Sequence, residues 1–465
     1  MSAWIHKYSH FFLLAGIVLI ALGLQGVRLQ GVSLWYDEYL TTTTVTYPWS
    51  TVLTGSYPKE LHPPLYFISL KVWNSLLSET ELGMRWFSLL WFVGSLILIY
   101  FVTESLGDIH TGLGAAFLLA FHPMYVYYAI EIRMYTMLMF LFLLALLSFL
   151  RYTRATRNQT VWLTILVGSI TLALYTHYFS IMIIITIATI SCFLRFFKND
   201  KSQVYIFVSL AICIFLFIPC VYYITLQQIR DYTNTYTIHP DDLLRIDVVL
   251  ALISSIGLLQ FDYTNIFQVV SLLAVLTGLA FFCRYSKVLA YAFIVSLIFC
   301  GTLAFFVSSR GVVIVFRYLI HVSIISLILQ SFLFVGKNIS NGKYLNLARI
   351  IIMVLMSFYI YFDINTIVNP VQPNWRTISL AIEQNVENNE VVILTGWDSV
   401  SIQYYLKKYP LIIDLAPDLE GARALNRRSY IIVESQASRI TYSLDKASVL
   451  YAIPEHHIKI IRFQP

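Results

Sequence analysis

Two adjacent carboxylates, Asp37 and Glu38, lie within Trp35-Tyr36-Asp37-Glu38-Tyr39, and Leu61-His62-Pro63-Pro64-Leu65 follows in the same polar stretch. A carboxylate held in a partly apolar cleft has a raised proton affinity and can take a proton from a hydroxyl or amine acceptor. The plainer alternative is a solvated loop whose Trp and Tyr side chains anchor it at an interface, and these residues alone leave both readings open. His62 is either a donor lining a ligand cavity or a loop residue. The prolines after it fix an extended entry into the apolar segment 65–77, which is expected to lie along an interface or dip into a pocket without crossing.

Four arginines stand at the ends of long apolar runs: Arg85, Arg133, Arg310 and Arg317. Arg133 belongs to Tyr127-Tyr128-Ala129-Ile130-Glu131-Ile132-Arg133-Met134-Tyr135, and another run ends in Tyr175-Thr176-His177-Tyr178. Guanidinium is the natural clamp for phosphate, through paired N–H donors. A single arginine at a helix end also simply snorkels to lipid headgroups, so each one alone reads as structural. Together, beside Glu131, Tyr135 and His177, they read as a site for an anionic ligand. The chain has no Gly-rich phosphate loop, zinc motif, nucleophile elbow or dinucleotide fingerprint. A nucleotide-fuelled pump and a soluble-cofactor enzyme therefore have no support, and neither a metal nor a cofactor is expected.

The elements that must position these groups are membrane helices. Of 465 residues, 58% are hydrophobic and only 12% are charged, where an ordinary soluble domain carries about 25% charged residues. With a mean hydropathy of +0.73, such a chain cannot cover its surface with polar groups in water. This excludes a soluble globular enzyme, a disordered protein and a nucleic-acid binder. Apolar stretches near 10–27, 86–103, 109–124, 134–150, 160–177, 178–195, 203–224, 266–283, 288–307, 315–335 and 349–366 predict eleven transmembrane helices. The stretch 248–261 is shorter and follows Asp241, Asp242 and Asp247, so it is expected to be interfacial or re-entrant.

Charge orients the helices. With the N-terminus inside, the inner loops hold 12 basic and 3 acidic residues, and the outer side of 1–366 holds 9 basic and 12 acidic. Lys and Arg concentrate in short cytoplasmic loops, which favours a cytoplasmic N-terminus and an extracytoplasmic C-terminus. The four arginines therefore lie on the outer face, against the trend. No small-x-small cleavage site cleanly follows the first apolar run, which is read as a membrane helix and not as a removed signal. The sequons at Asn158 and Asn338 fall on the inner side.

Beyond residue 366 the composition approaches that of a soluble domain. Residues 367–465 carry apolar runs of strand length at Val391–Leu394, Leu411–Leu415, Tyr430–Val433 and Ile458–Ile461, with helix-like segments at Trp375–Val386 and Val400–Lys408. This alternation predicts a small extracytoplasmic α/β domain after a membrane domain of residues 1–366 whose first outer loop is 28–84. Cys192, Cys213, Cys220, Cys283 and Cys300 all fall in apolar runs and read as small buried hydrophobes.

The order of a first helix, Trp35-Tyr36-Asp37-Glu38, His62-Pro63-Pro64-Leu65, Glu81 through Arg85, and Glu131 through Tyr135 resembles the GT-C membrane glycosyltransferases. More narrowly it resembles the branch of protein O-mannosyltransferases and lipid A aminoarabinose transferases. Tyr175–Phe179, Phe316–Leu319 and Pro373–Arg376 are also similar to its bacterial members. The resemblance covers most of the chain and is most specific in the first 180 residues. It implies a polyprenyl-phosphate sugar donor, metal-independent inverting transfer to a lipid, glycan or protein acceptor, and residence in the cell (inner) membrane as part of envelope synthesis. It implies Asp37 as catalytic base, with Glu38 orienting the acceptor or tuning the Asp. It further implies that His62 lines the cavity, and that Arg85, Arg133 and Arg317 contact the donor phosphate or hold the acidic loop. The rival readings are a lipid-linked sugar flippase or transporter, and a non-catalytic membrane scaffold. A transporter is expected to place ionisable groups near the bilayer midplane in paired, broken helices, whereas here they cluster at helix ends and no repeat is present.

Overall fold

In lipid every backbone N–H and C=O must find a partner within its own segment, so long apolar runs fold as helices. The computed structural model describes residues 2–29, 31–57, 60–155, 157–222, 265–308, 316–335, 342–368, 374–385, 391–395, 399–406, 411–414, 430–434, 447–453 and 458–463. Its helices are α1 Ser2–Leu29, α2 Tyr36–Thr44, α3 Trp49–Thr54, α4 Leu65–Leu76, α5 Glu81–Leu106, α6 Ile109–Phe121, α7 Pro123–Tyr128 and α8 Tyr135–Arg154. They continue as α9 Gln159–Leu174, α10 Ile181–Phe197, α11 Gln203–Cys220, α12 Asn265–Tyr285, α13 Lys287–Ser308, α14 Ile320–Ser331, α15 Gly342–Val368 and α16 Trp375–Asn385.

Each of the eleven predicted spans coincides with a helix. Among the described residues nine helical stretches are long and apolar enough to cross a bilayer, while α6 and α9 are shorter. The shortness of α6 has a local cause. His122 is extended at its end and Pro123 opens α7, so the chain turns where a proline cannot continue the preceding helix. The stretch 248–261 lies outside the described residues.

The chain divides into two compact units, one of residues 1–26 and 47–364 and the other of 27–46 and 365–465. In the first, α5, α6, α8 and α9 pack side by side, α10 lies against α13, and α12 lies against α14. Buried leucines and phenylalanines fill α8, whereas α1, α11 and α12 expose Leu19, Phe215 and Leu276. An apolar exterior of that kind suits contact with lipid tails. Helices here approach closely at glycine. A Cβ at Gly278 of α12 would stand 2.0 Å from the Leu329 carbonyl oxygen of α14. Backbone cannot yield as a side chain can, so Gly278→Ala is expected to lower stability by about 1–3 kcal/mol or more. A melting curve of the purified variant that overlays the wild type would contradict this.

The polar stretch after α1 folds as three short helices, α2, α3 and α4. Lys71 of α4 donates to the Tyr47 carbonyl at 2.8 Å and lies over the Trp49 ring. In the second unit a five-stranded sheet runs in the order β2-β1-β3-β5-β4, formed by β1 Val391–Thr395, β2 Leu411–Asp414, β3 Tyr430–Glu434, β4 Ala447–Ile453 and β5 Ile458–Phe463. β1 pairs in parallel with β2 and β3, and β5 pairs antiparallel with β3 and β4. The sequence reading anticipated four of these strands and passed over β4. Ala447, Ser448 and Ala452 dilute its apolar run, and a register irregularity at Val449/Tyr451 breaks its alternation. The expected helix-like segment from Val400 is a 3-10 helix at Ser399–Tyr404.

Candidate active site

The candidate residues fall in both units. Asp37 and Glu38 belong to the second, while His62, Arg85, Glu131, Arg133, Tyr135, His177 and Arg317 belong to the first. Arg310 lies outside the described residues.

Asp37 and Glu38 occupy the first turn of α2. Glu38 is buried, and its carboxylate accepts the Trp35 backbone N–H at 3.2 Å. It thereby caps one of the free N–H groups that open a helix. Asp37 is half-buried, and its carbonyl accepts from the Thr41 hydroxyl at 3.0 Å. The adjacent carboxylates thus have separate surroundings: Glu38 closes the helix end and Asp37 keeps partial access to solvent.

In the first unit, a bend at His62 precedes Pro63, and it brings side chains two residues apart together. Glu60 and His62 are such a pair. The His62 Nδ1 lies against one Glu60 carboxylate oxygen, while Arg133 donates to the other at 2.6 Å. Arg133 also stands 3.4 Å from His62 Nδ1. Glu60 and Arg133 are both buried. Burial pushes the Glu60 carboxyl up, but Arg133 and His62 outweigh it and hold the group down at about 2.

The sign of that shift gives a testable consequence. The ion pair's contribution to stability is fully present above the ordinary carboxyl value of 4.5 and is lost as pH falls through about 2. The gap in melting temperature between wild type and Glu60→Gln is therefore expected to stay constant from neutral pH to about 5 and to narrow only below that. A gap that closes near neutral pH would assign it to another group.

Around this ion pair stand aromatic rings. The His62 and His177 ring centroids are 5.0 Å apart, and Tyr318 is 5.2 Å from His177 and 6.4 Å from His62. Phe179 stacks on Tyr318 at 5.5 Å, and Tyr135 lies 6.5 Å from His177. His177 is buried; its Nδ1 accepts the Phe179 N–H at 3.1 Å, and its Nε2 meets no hydrogen-bond partner among the described residues. The Arg317 guanidinium lies 5.8 Å from the centre of the Tyr318 ring. His62, Arg133, Tyr135, His177 and Arg317, separated in sequence, are thus drawn into one cluster. Among the described residues no group of three or more His, Cys, Asp and Glu side chains is arranged to hold a metal ion.

Arg85 has a different setting. Its Nε and one terminal nitrogen donate to Glu81 at 3.1 and 2.9 Å, and the other terminal nitrogen donates to the Ile130 carbonyl at 2.9 Å. Ser88 donates to the Glu131 carbonyl at 2.5 Å. These bonds fasten the turn between α7 and α8, which carries Glu131 and Arg133, to α5.

Glu60 and Tyr318 are site residues that the sequence reading did not single out. The signal for Glu60 was its two-residue spacing from His62 ahead of the proline pair. Tyr318 follows Arg317 directly and had no separate mark.

The architecture is the GT-C fold of membrane glycosyltransferases. The crystal structure of ArnT from Cupriavidus metallidurans in the apo state aligns over 96% of this chain and 97% of that one, with a TM-score of 0.64 at 12% identity. The same protein bound to undecaprenyl phosphate aligns over 96% and 97%, with a TM-score of 0.62 at 13% identity. The archaeal oligosaccharyltransferase AglB from Archaeoglobus fulgidus, in complex with an inhibitory peptide and a dolichol-phosphate, aligns over 92% of this chain and 70% of that one, with a TM-score of 0.58 at 13% identity. Within the fold, residues 61–223 match the family model of dolichyl-phosphate-mannose-protein mannosyltransferases. No curated protein matches the sequence. The chain is a multi-pass membrane protein with the fold of the GT-C glycosyltransferases, and the segment that carries His62, Arg85, Arg133 and His177 is the one that matches the mannosyltransferase family model.

Proposed function

We propose that the chain transfers a sugar from a polyprenyl-phosphate donor to a lipid, glycan or protein acceptor at the outer face of the inner membrane. Residues 1–366 form the catalytic membrane domain, and 367–465 form an extracytoplasmic domain. The observation that carries this reading is the cluster of Arg133, Glu60, His62, His177 and Tyr318, of which His62, Arg133 and His177 lie in the segment that matches the mannosyltransferase family model. A buried guanidinium with a second one half-buried, set among aromatic rings, suits a ligand that is part phosphate and part apolar or sugar surface.

In the reaction, the acceptor oxygen or nitrogen attacks the anomeric carbon from the face opposite the phosphate. The new bond to that carbon forms as its bond to the phosphate oxygen breaks. Asp37 takes the proton from the acceptor, and polyprenyl phosphate leaves with one further negative charge. Arg133 and Arg317 stabilise that charge, an electrostatic contribution of the oxyanion-hole type. Arg85, bonded to Glu81 and Ile130, holds the turn that carries Arg133.

The deciding experiment uses purified full-length protein in proteoliposomes with undecaprenyl phosphate carrying a radiolabelled sugar, comparing mannose, glucose, galactose and 4-amino-4-deoxyarabinose. Release of label from one of these donors by the wild type supports the enzyme. Movement of intact labelled lipid between leaflets without release would favour the flippase.

A further inference from the structure

The second unit joins the acidic helix α2 to residues more than three hundred positions further along the chain. The Tyr39 hydroxyl donates to Gln403 Oε1 at 2.5 Å, and the Leu34 backbone N–H donates to the Tyr405 hydroxyl at 3.0 Å. Ser33 donates to Asn374 Oδ1 at 3.2 Å, an oxygen that also accepts the Thr377 N–H at the start of α16. Arg376 reaches the Val32 carbonyl at 3.5 Å and lies 5.9 Å from the centre of the Tyr405 ring. These bonds fall on both sides of Asp37: Val32, Ser33 and Leu34 precede it, and Tyr39 follows it.

The residues that supply the bonds are themselves fixed. Ser401, Ile402 and Leu406 are buried around Gln403 and Tyr405, and Trp375, Ile378 and Ile382 anchor α16. The Gln403 Nε2 is buried and has no hydrogen-bond partner among the described residues. A buried, unmatched amide donor costs free energy that an apolar side chain would avoid. Its acceptor oxygen, directed at Tyr39, gives this amide a reason to be there.

We propose that Gln403 and Tyr405, from the C-terminal segment, are positioning residues that clamp α2 and so set the orientation of Asp37. The inference rests on the reading of Asp37 as the base. It assigns the C-terminal domain a part in the transfer step itself, beyond acting as an appendage. Neither residue touches the reacting atoms; each acts through the backbone or side chain of the segment that carries the carboxylate. Small displacements of a catalytic group cost rate without weakening ground-state binding.

The test uses the full-length protein in proteoliposomes with the four labelled undecaprenyl-phosphate sugars. Tyr39→Phe and Gln403→Met remove the two ends of one hydrogen bond. Each is expected to lower kcat about tenfold with the donor KM unchanged, and the double variant is expected to be no slower than either, because both sever the same contact. Tyr405→Phe is expected to act in the same direction. Amide hydrogen exchange over residues 33–44 is expected to rise in all three, while the melting temperature stays within a few degrees of the wild type's. Unchanged exchange in that segment overturns the clamp, and so do rate losses that multiply in the double variant or simply follow a fall in melting temperature. Asp37→Asn in the same preparation separates the two ideas. An inactive Asp37→Asn beside unaffected Tyr39→Phe and Gln403→Met defeats the clamp alone. A fully active Asp37→Asn, or no release by the wild type from any donor, defeats the base reading and the inference that depends on it.

Discussion

Asp37→Asn is expected to lower kcat by about three orders of magnitude while leaving the donor KM and the melting temperature near their wild-type values. General-base catalysis contributes factors of about 10²–10⁴, and an amide of the same size cannot accept the acceptor's proton. The substitution leaves the helix end intact, because the capping bond to the Trp35 N–H comes from Glu38. Glu38→Gln therefore behaves differently. Its side chain is buried against the backbone it caps, so the loss should appear first in hydrogen exchange at the start of α2 and only secondarily in rate. Single-turnover measurement of sugar release checks the pair. Wild-type turnover by Asp37→Asn would remove it from the mechanism.

Arg133 is the other position where a large effect is expected, and it takes two variants to interpret. Arg133→Gln removes a guanidinium proposed to stabilise the leaving phosphate, an effect of about 3–4 kcal/mol on the transition state. It also strips the buried Glu60 carboxylate of its cationic partner at 2.6 Å. Breaking one side of a buried ion pair costs about 3–5 kcal/mol of stability, because the other charge stays uncompensated. A single variant confounds the two losses. The double variant Glu60→Gln/Arg133→Gln removes both charges together, and is expected to recover most of the melting temperature and none of the transfer activity. Recovery of activity along with stability would make Arg133 a purely structural partner of Glu60.

Much of the membrane part was legible as a line of residues. A span is recognised from about 20 consecutive residues, since the bilayer imposes its demand on every one of them locally. For that reason the predicted stretches coincide with helices, and the break after α6 could be read from His122-Pro123. The α/β domain was harder. Its strands are short, and β4 is a diluted run that pairs with β5, a partner its own residues do not announce.

The clusters divide along the same line. His62, Arg133, His177 and Arg317 were marked by residue type and by their place at the ends of apolar runs, which is local information. That Arg133 meets Glu60 across 73 positions, and Tyr39 meets Gln403 across 364, is written nowhere nearby in the chain. Glu60 could be mistaken for one more loop acid until its partner was known.

By itself, then, the sequence determined a many-helix membrane protein, the acidic and proline-containing loop after its first helix, and the residue types able to handle a sugar phosphate. Only the tertiary structure decided which arginine is paired with a buried carboxylate, which one is tied to a helix turn, and which distant residues hold the α2 segment. The reason is physical. Hydropathy and backbone preference act over a turn or a span, whereas an ion pair or a side-chain hydrogen bond depends on where packing brings two remote groups to within about 3 Å.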